Sequence, residues 1–226
     1  MSDTSVTTCP TGEQCTLTKE LAALKSEFQA LSELVRTDTL TSLYNYRHFT
    51  VAIEQEMERS RRTGQPTALI MADIDYFKKV NDNWGHEVGN QALVLVASCL
   101  RNAIRKLDVA CRYGGEEFAI IMPSTDMMTS VQVAQRLRQT IEQTPLYIDN
   151  QSLSLTISLG VGLYVGHPSD TADTLVKRAD KQLYKAKEQG RNQVCYEPIG
   201  HANEQQISHD EKDALFGLFG DSEDSQ

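Results

Sequence analysis

The chain lacks any excess of basic residues: 22 Lys and Arg stand against 31 Asp and Glu, a formal net charge of −9. That balance excludes general binding along a nucleic-acid polymer, whose phosphates need a basic face. Also missing is an apolar run of the length that crosses a bilayer, about 20 residues. The opening Met1-Ser2-Asp3-Thr4 has neither the basic nor the apolar region of a signal peptide. No membrane span is expected, and the cytoplasm is the expected location. Cysteines number five in 226 residues, an odd count that argues against a disulfide framework and fits reduced thiols. Cys99, Cys111 and Cys195 lie in apolar patterns as small core residues. Cys9 and Cys15 flank a polar stretch with no histidine or further cysteine nearby to complete a metal site, so a plain tail is expected there. What is present is 40% hydrophobic content in one domain-sized chain, enough to build a core.

Its most informative stretch is Arg112-Tyr113-Gly114-Gly115-Glu116-Glu117-Phe118, between a strand-like run ending at Tyr113 and the apolar run Phe118–Met122. Gly114-Gly115 is expected to form a tight hairpin turn with the two carboxylates at its tip. Glycines there can take positive φ and admit a phosphate, which the carboxylates would repel unless a divalent cation lay between. A solvated hairpin with two surface glutamates fits these residues equally well. The second acid cluster shifts the balance. The run Thr67–Asp75 is expected to be an apolar strand buried on both faces with carboxylates at its C-terminal end, and Asp73 would cost several kcal/mol if buried unpaired. A cation shared with Glu116 removes that cost, and Mg²⁺ (or Mn²⁺) favours one or two carboxylates plus substrate phosphates.

Taken in order, residues 1–16 and 198–226 have the composition of disordered ends, the second acidic with seven acids against Lys212. Leu215-Phe216-Gly217-Leu218-Phe219 is an apolar patch within that tail, either a short partner-binding motif or a run of no consequence. Leu17, Leu21, Leu24, Phe28, Leu31 and Val35 are spaced as a coiled-coil seam over residues 17–36, with Glu20 and Lys25 placed to pair between parallel chains; a lone amphipathic helix is the alternative. Phe49, Ile53 and Met57 mark a helix ending at Gly64. A polar loop or short helix, Tyr76–His86, supplies amide, cationic and aromatic groups suited to a base, Phe77, Lys78 and Asn81 among them. A long helix over about 87–106 buries Val88, Ala92, Leu95, Cys99, Ala103 and Leu107. After the hairpin come a helix at about 126–143 and one unbroken strand from Leu153 to Val165 with one face buried. The last helix buries Ala172, Leu175, Val176, Ala179, Leu183 and Ala186, ends near Gly190, and is followed by a strand at 193–196. This order predicts one α/β sheet covered by helices.

Several spaced blocks now stand in one order: Asp38-x-Leu40-Thr41-x-Leu43-x-Asn45, Asp73-Ile74-Asp75-x-Phe77-Lys78-x-x-Asn81-Asp82, Gly85-His86-x-x-Gly89, Gly114-Gly115-Glu116-Glu117-Phe118, and Ala179-Asp180-x-x-Leu183-Tyr184-x-Ala186-Lys187-x-x-Gly190-Arg191-Asn192. From about Asp38 to Tyr196 the chain resembles the GGDEF family of diguanylate cyclases, in its GGEEF form. The resemblance implies a ferredoxin-like nucleotide-cyclase sheet for residues 37–197, and a reaction joining two GTP into cyclic di-GMP across a homodimer. It also implies roles. Asp73, Glu116 and the carbonyl of Ile74 would hold the metal, and Glu117 would help deprotonate the attacking hydroxyl or join a second metal. Lys187 and Arg191, with Lys78, would hold phosphates, Asn81 would bind the guanine edge, and Gly114 and Gly115 would leave the phosphates room. Arg105 and Asp108 stand where the family carries its R-x-x-D inhibitory site for cyclic di-GMP, with Arg136 as a further phosphate ligand.

Each role has a plainer counterpart: Lys187 and Arg191 suit a helix C-terminus whatever they bind, Lys78 suits any surface, and Arg105-x-x-Asp108 can be an ordinary surface pair. Two departures from the family pattern are Asn90, where aspartate is usual beside guanine, and Tyr46, where an arginine is usual. The alternative functions are a catalytically weak or inactive cyclic di-GMP receptor, a cyclase of another base or product, and a coiled-coil adaptor.

Overall fold

The structure is a computed structural model and describes residues 20–27, 36–149 and 151–198. Residues 20–27 are helical with Leu21 and Leu24 exposed; the rest of the heptad seam, Cys9, Cys15 and the Leu215–Phe219 patch lie outside the described residues. No helix among the described residues is long and apolar enough to cross a membrane.

Helix α1 (Tyr46–Thr63) is capped at its start by Asn45, whose side chain accepts from the His48 amide, and stops at Gly64 in the left-handed region. It buries Phe49, Ile53 and Met57, as their spacing predicts. Strand β1 (Thr67–Ile74) is buried along its whole length. Helix α2 (Phe77–Ala103) is two helices joined at Gly85, which stands at φ 82° and ψ 164°. The polar segment after β1 is therefore a helical turn of its own rather than a loop. Strands β2 (Val109–Arg112) and β3 (Glu117–Met122) form the hairpin, and helix α3 (Met127–Glu142) is capped by Asp126 accepting from the Thr129 amide. A small hairpin follows, β4 (Leu146–Ile148) with β5 (Gln151–Leu153), then β6 (Ile157–Tyr164), α4 (Ala172–Glu188) and β7 (Val194–Tyr196).

The main sheet has five strands in the order β2-β3-β1-β6-β7. Strand β1 pairs antiparallel with both β3 and β6, and β7 is added parallel to β6. The first four strands with α2 and α3 make the βαββαβ arrangement of a ferredoxin-like sheet, as expected. Apolar side chains on the two faces form two cores: α2 and α3 cover one through Val96, Leu100 and Leu137, while α1 and α4 cover the other through Phe49, Ile53 and Leu183.

Several expectations need correction. The run Leu153–Val165 is not one strand: β5 belongs to a separate hairpin that the alternation concealed, and Val165 is exposed. Strand β6 is buried on both faces, because its small residues face α4 at close range. A Cβ on Gly160 would lie 2.1 Å from the Leu183 amide nitrogen. Helix α2 stops at Ala103, so Leu107 is 74% exposed instead of core. The turn 105–108 is closed by the Asp108 carboxylate accepting from the Arg105 amide at 2.8 Å, which carries Leu107 outward. Cys195 is only half-buried, since β7 is an edge strand, whereas Cys99 and Cys111 are buried.

Candidate active site

Register brings the two acid clusters together. Asp73 on β1 stands opposite Glu117 on β3, and the Ile74 amide donates to the Glu116 carbonyl at 3.3 Å. The hairpin tip is wider than a two-residue turn: the Tyr113 and Gly114 amides both donate to the Glu117 carbonyl, at 2.8 and 3.2 Å. Neither glycine takes positive φ, contrary to expectation. What Gly114 supplies is space, because a Cβ there would meet the Glu117 carboxylate at 2.7 Å, while Gly115 opens onto free space.

Asp73 is buried, and burial pushes its pKa up despite a hydrogen bond and charge attraction from Lys187. Glu116 and Glu117 are pushed up in turn by burial and then by the charge of Asp73. The Lys187 ammonium lies 2.8 Å from Asp73 Oδ2 and lowers all three. A like-charged, part-buried carboxylate group relieved by one ammonium is an environment suited to a cation. Among the described residues no three His, Cys, Asp or Glu side chains close into a metal cage. The hard oxygen donors of Asp73 and Glu116 fit instead a Mg²⁺ or Mn²⁺ ion that completes its shell with water and phosphate. Ile74, whose carbonyl is the third expected donor, is the last residue of β1.

The cationic side of the site is built on the next helix end. Arg191 follows α4 and lays its guanidinium over the Tyr76 ring at 4.5 Å, with Lys79 Nζ also against that ring at 4.4 Å. Lys78 points to solvent with no partner among the described residues. Phe77 is buried in the core with its ring tip against Gly89, so the exposed aromatic of this segment is Tyr76. Asn81 crosses the α2 kink and packs on Gly89, where a Cβ would collide with its Oδ1. Asn90 is exposed and lines a cleft of 1020 Å³ between α2 and α3, together with Leu40, Val94 and Arg136.

The residues of the expected inhibitory site fall on two neighbouring clefts. Arg105 and Asp108 line one of 350 Å³ beside Arg101 and Tyr44, whereas Arg136 belongs to the larger cleft and donates to the Ala103 carbonyl at 2.7 Å. Asp108 is buried and spent on the turn.

Sequence reasoning gave no role to Asp75, Arg112 or Tyr113. Arg112 pairs with Asp38 at 3.2 Å and donates to the Gly115 carbonyl at 2.8 Å, so it joins the segment before α1 to the hairpin tip. Tyr113 packs edge-on against Tyr46 and Phe49 at 5.0 and 5.1 Å, which gives Tyr46 an aromatic partner where the family's arginine would stand. The motif Asp38-x-Leu40-Thr41 signals only the local part of this, Asp38 accepting from the Thr41 amide and hydroxyl to close its own turn.

Carboxylates at a strand end and hairpin tip thus face cationic groups at a helix end, on one edge of an α/β domain. Residues 35–193 match the model of the family described as diguanylate cyclase, GGDEF domain, and the chain belongs to that family. It is 39% identical over 173 residues to "Response regulator PleD" of Caulobacter vibrioides, covering 76% of this chain and 38% of PleD. The chain therefore spans well under half of that relative's length. Among solved structures, the coiled coil and GGDEF domain of DgcB from Caulobacter crescentus in complex with c-di-GMP matches with a TM-score of 0.69 and 28% identity, covering 80% of this chain and 95% of that one. The active GGEEF domain of a diguanylate cyclase from Vibrio cholerae matches with a TM-score of 0.63 and 32% identity, covering 67% of this chain and 96% of that one.

Proposed function

We propose that this chain is a diguanylate cyclase, joining two GTP molecules into cyclic di-GMP with release of pyrophosphate, in the cytoplasm and as a homodimer. The observation that carries the reading is the buried Asp73, set in register with the hairpin carboxylates and paired with Lys187, with Arg191 a weaker cationic influence on it. Asp73, Glu116 and the Ile74 carbonyl hold a divalent metal, which when bound neutralises phosphate charge at the α-phosphorus. Lys187 and Arg191 hold the terminal phosphates, with Lys78 near them on the first turn of α2. Asn81 and Asn90 face the guanine edge from the two arms of the α2 kink, over a floor shaped by Phe77. Gly114 and Gly115 keep the hairpin tip clear. In each half-reaction a 3′-oxygen bonds to the other nucleotide's α-phosphorus, the bond to pyrophosphate breaks, and Glu117 receives the hydroxyl proton.

Residues 37–197 form the catalytic unit. One such unit holds one GTP, so two must meet, and the heptad-patterned segment 17–36 serves as the dimeriser, raising their effective concentration. Arg105, Asp108 and Arg136 form the site that binds the product as inhibitor: Asp108 fixes the backbone that presents the exposed Arg105, and Arg136 stands at the C-terminal end of α2, donating to the Ala103 carbonyl. Incubating purified protein with GTP and Mg²⁺, then identifying the product by mass spectrometry, tests the activity; absence of cyclic di-GMP under dimer-forming concentrations overturns it. For the inhibitory site, Arg105→Ala is expected to relieve product inhibition, and an unchanged inhibition curve refutes that assignment.

A further inference from the structure

The segment that ends α4 runs through Gly190, Arg191 and Asn192 at φ 110°, 64° and 47°, so two non-glycine residues in succession occupy the left-handed region. A backbone of this kind persists only where its surroundings over-determine it. Here the surroundings are specific. Asp75, 5% exposed, accepts from the Asn192 amide at 3.0 Å through Oδ2. It also accepts from Thr156 Oγ1 at 2.8 Å and Ser158 Oγ at 2.6 Å, which fix the carboxylate against β6. The adjoining Tyr76 receives the Arg191 guanidinium on its ring and a hydrogen bond from Arg191 to its hydroxyl at 3.3 Å. From the other side, Asn192 donates to Glu142 at 2.7 Å and accepts from Arg138 at 3.0 Å, both on α3. Two consecutive residues after β1 thus grip two consecutive residues after α4.

We infer that Asp75 is a positioning residue: its buried carboxylate locks the Gly190–Asn192 turn and so aims Arg191 at the phosphate end of the site. This rests on the phosphate role given to Arg191 above. A carboxylate suits the task because its two oxygens accept all three donors at once, whereas an asparagine leaves a single acceptor oxygen for them.

The turn offers its own probe, since trypsin cleaves after Arg191. In Asp75→Asn, cleavage after Arg191 is expected to rise about tenfold or more relative to cleavage after Arg59 and Arg62 on α1, as local opening replaces a lost charge-assisted hydrogen bond. Thr156→Val, which leaves the carboxylate and its two other bonds in place, should give a smaller selective rise and serves if Asp75→Asn does not fold. Unchanged cleavage after Arg191, or a rise in step with the α1 sites, overturns the inference. Binding of a non-hydrolysable GTP analogue supplies the second arm. Asp75→Asn should weaken it about as much as Arg191→Ala, and the double variant should be no weaker than Arg191→Ala alone, since one acts through the other. Losses that multiply in the double variant overturn the positioning role. Normal analogue affinity in Arg191→Ala overturns the phosphate reading instead, and the trypsin comparison still decides whether Asp75 holds the turn.

Discussion

Two turns of this molecule carry acids, and they treat them oppositely. At the segment before α1, Asp38 loses some solvation by burial, yet accepts from the Thr41 amide at 2.8 Å and hydroxyl at 2.7 Å and pairs with Arg112, so its pKa falls below the usual value. At the hairpin tip and the facing end of β1, burial holds Asp73, Glu116 and Glu117 above theirs, helped by the charge of Asp75 on Asp73 and of Asp73 on the two glutamates, with Lys187 the cation that lowers all three. The first acid is satisfied by its own chain and serves structure. The others are left under-neutralised, and that deficit is what a metal-bound nucleotide can relieve. Arg112 touches both regions, donating to Asp38 and to the Gly115 carbonyl, so the satisfied turn braces the unsatisfied one.

Glu116→Gln breaks the unsatisfied side most directly. Turnover is expected to fall about a thousandfold or more, the scale of losing a principal electrostatic contact in the transition state. Circular dichroism should show an intact fold and thermal unfolding no loss of stability, because one repelling charge is gone. A stable, fully active Glu116→Gln protein would show that these carboxylates are merely superficial.

Lys187→Met tests whether the ammonium stands in for a cation. With chelator present the variant should lose about 1–3 kcal/mol of stability, since Asp73 is left buried and unpaired. Added Mg²⁺ or Mn²⁺ should restore part of it, and a melting curve indifferent to metal would contradict the comparison.

The satisfied side is tested by Asp38→Asn, expected to cost about 1 kcal/mol through lost hydrogen bonds and a weakened tie to Arg112. Its pH dependence has a definite sign. A carboxyl whose folded pKa is depressed contributes stability that is present above the unfolded value and lost as pH falls through the folded one. Wild-type protein should therefore lose this increment below about pH 4, the unfolded carboxyl range, and Asp38→Asn should not. Parallel acid-unfolding curves for the two would mean that Asp38 is not held as described.

Asn90→Asp is the mildest change. Asn90 is exposed at the cleft mouth, and an amide there offers guanine one acceptor where a carboxylate offers two. The GTP KM should fall by up to about tenfold with kcat little altered, as for a contact made equally in ground and transition states. An unchanged or raised KM would show that Asn90 already satisfies the base or never meets it.

Local patterning determined much of this protein. The apolar run Ala68–Ala72 leading into Asp73, the helix spacings of α1, α3 and α4, and the Gly-Gly-Glu-Glu tip were readable in the chain because burial and turn chemistry act within a few residues. The same local logic failed where a partner outside the window decided the outcome. Leu153 and Leu155 continue the alternation of β6, yet β5 turns away to pair with β4. Gly160 and Gly162 resemble the solvent face of a strand, yet α4 approaches so closely that only small residues fit. Leu107 fits the stripe of α2, but Asp108 ends that helix early. In the site, composition marked Asp73 and Glu116 as acids in want of a cation. Only the antiparallel register of β1 with β3 could set them side by side, and only the return of α4 could bring Lys187 to Asp73 and Asn192 to Asp75 from more than a hundred residues away. Charge and hydrophobicity belong to residues and travel with the sequence; which charges meet, and at what distance, belongs to the fold.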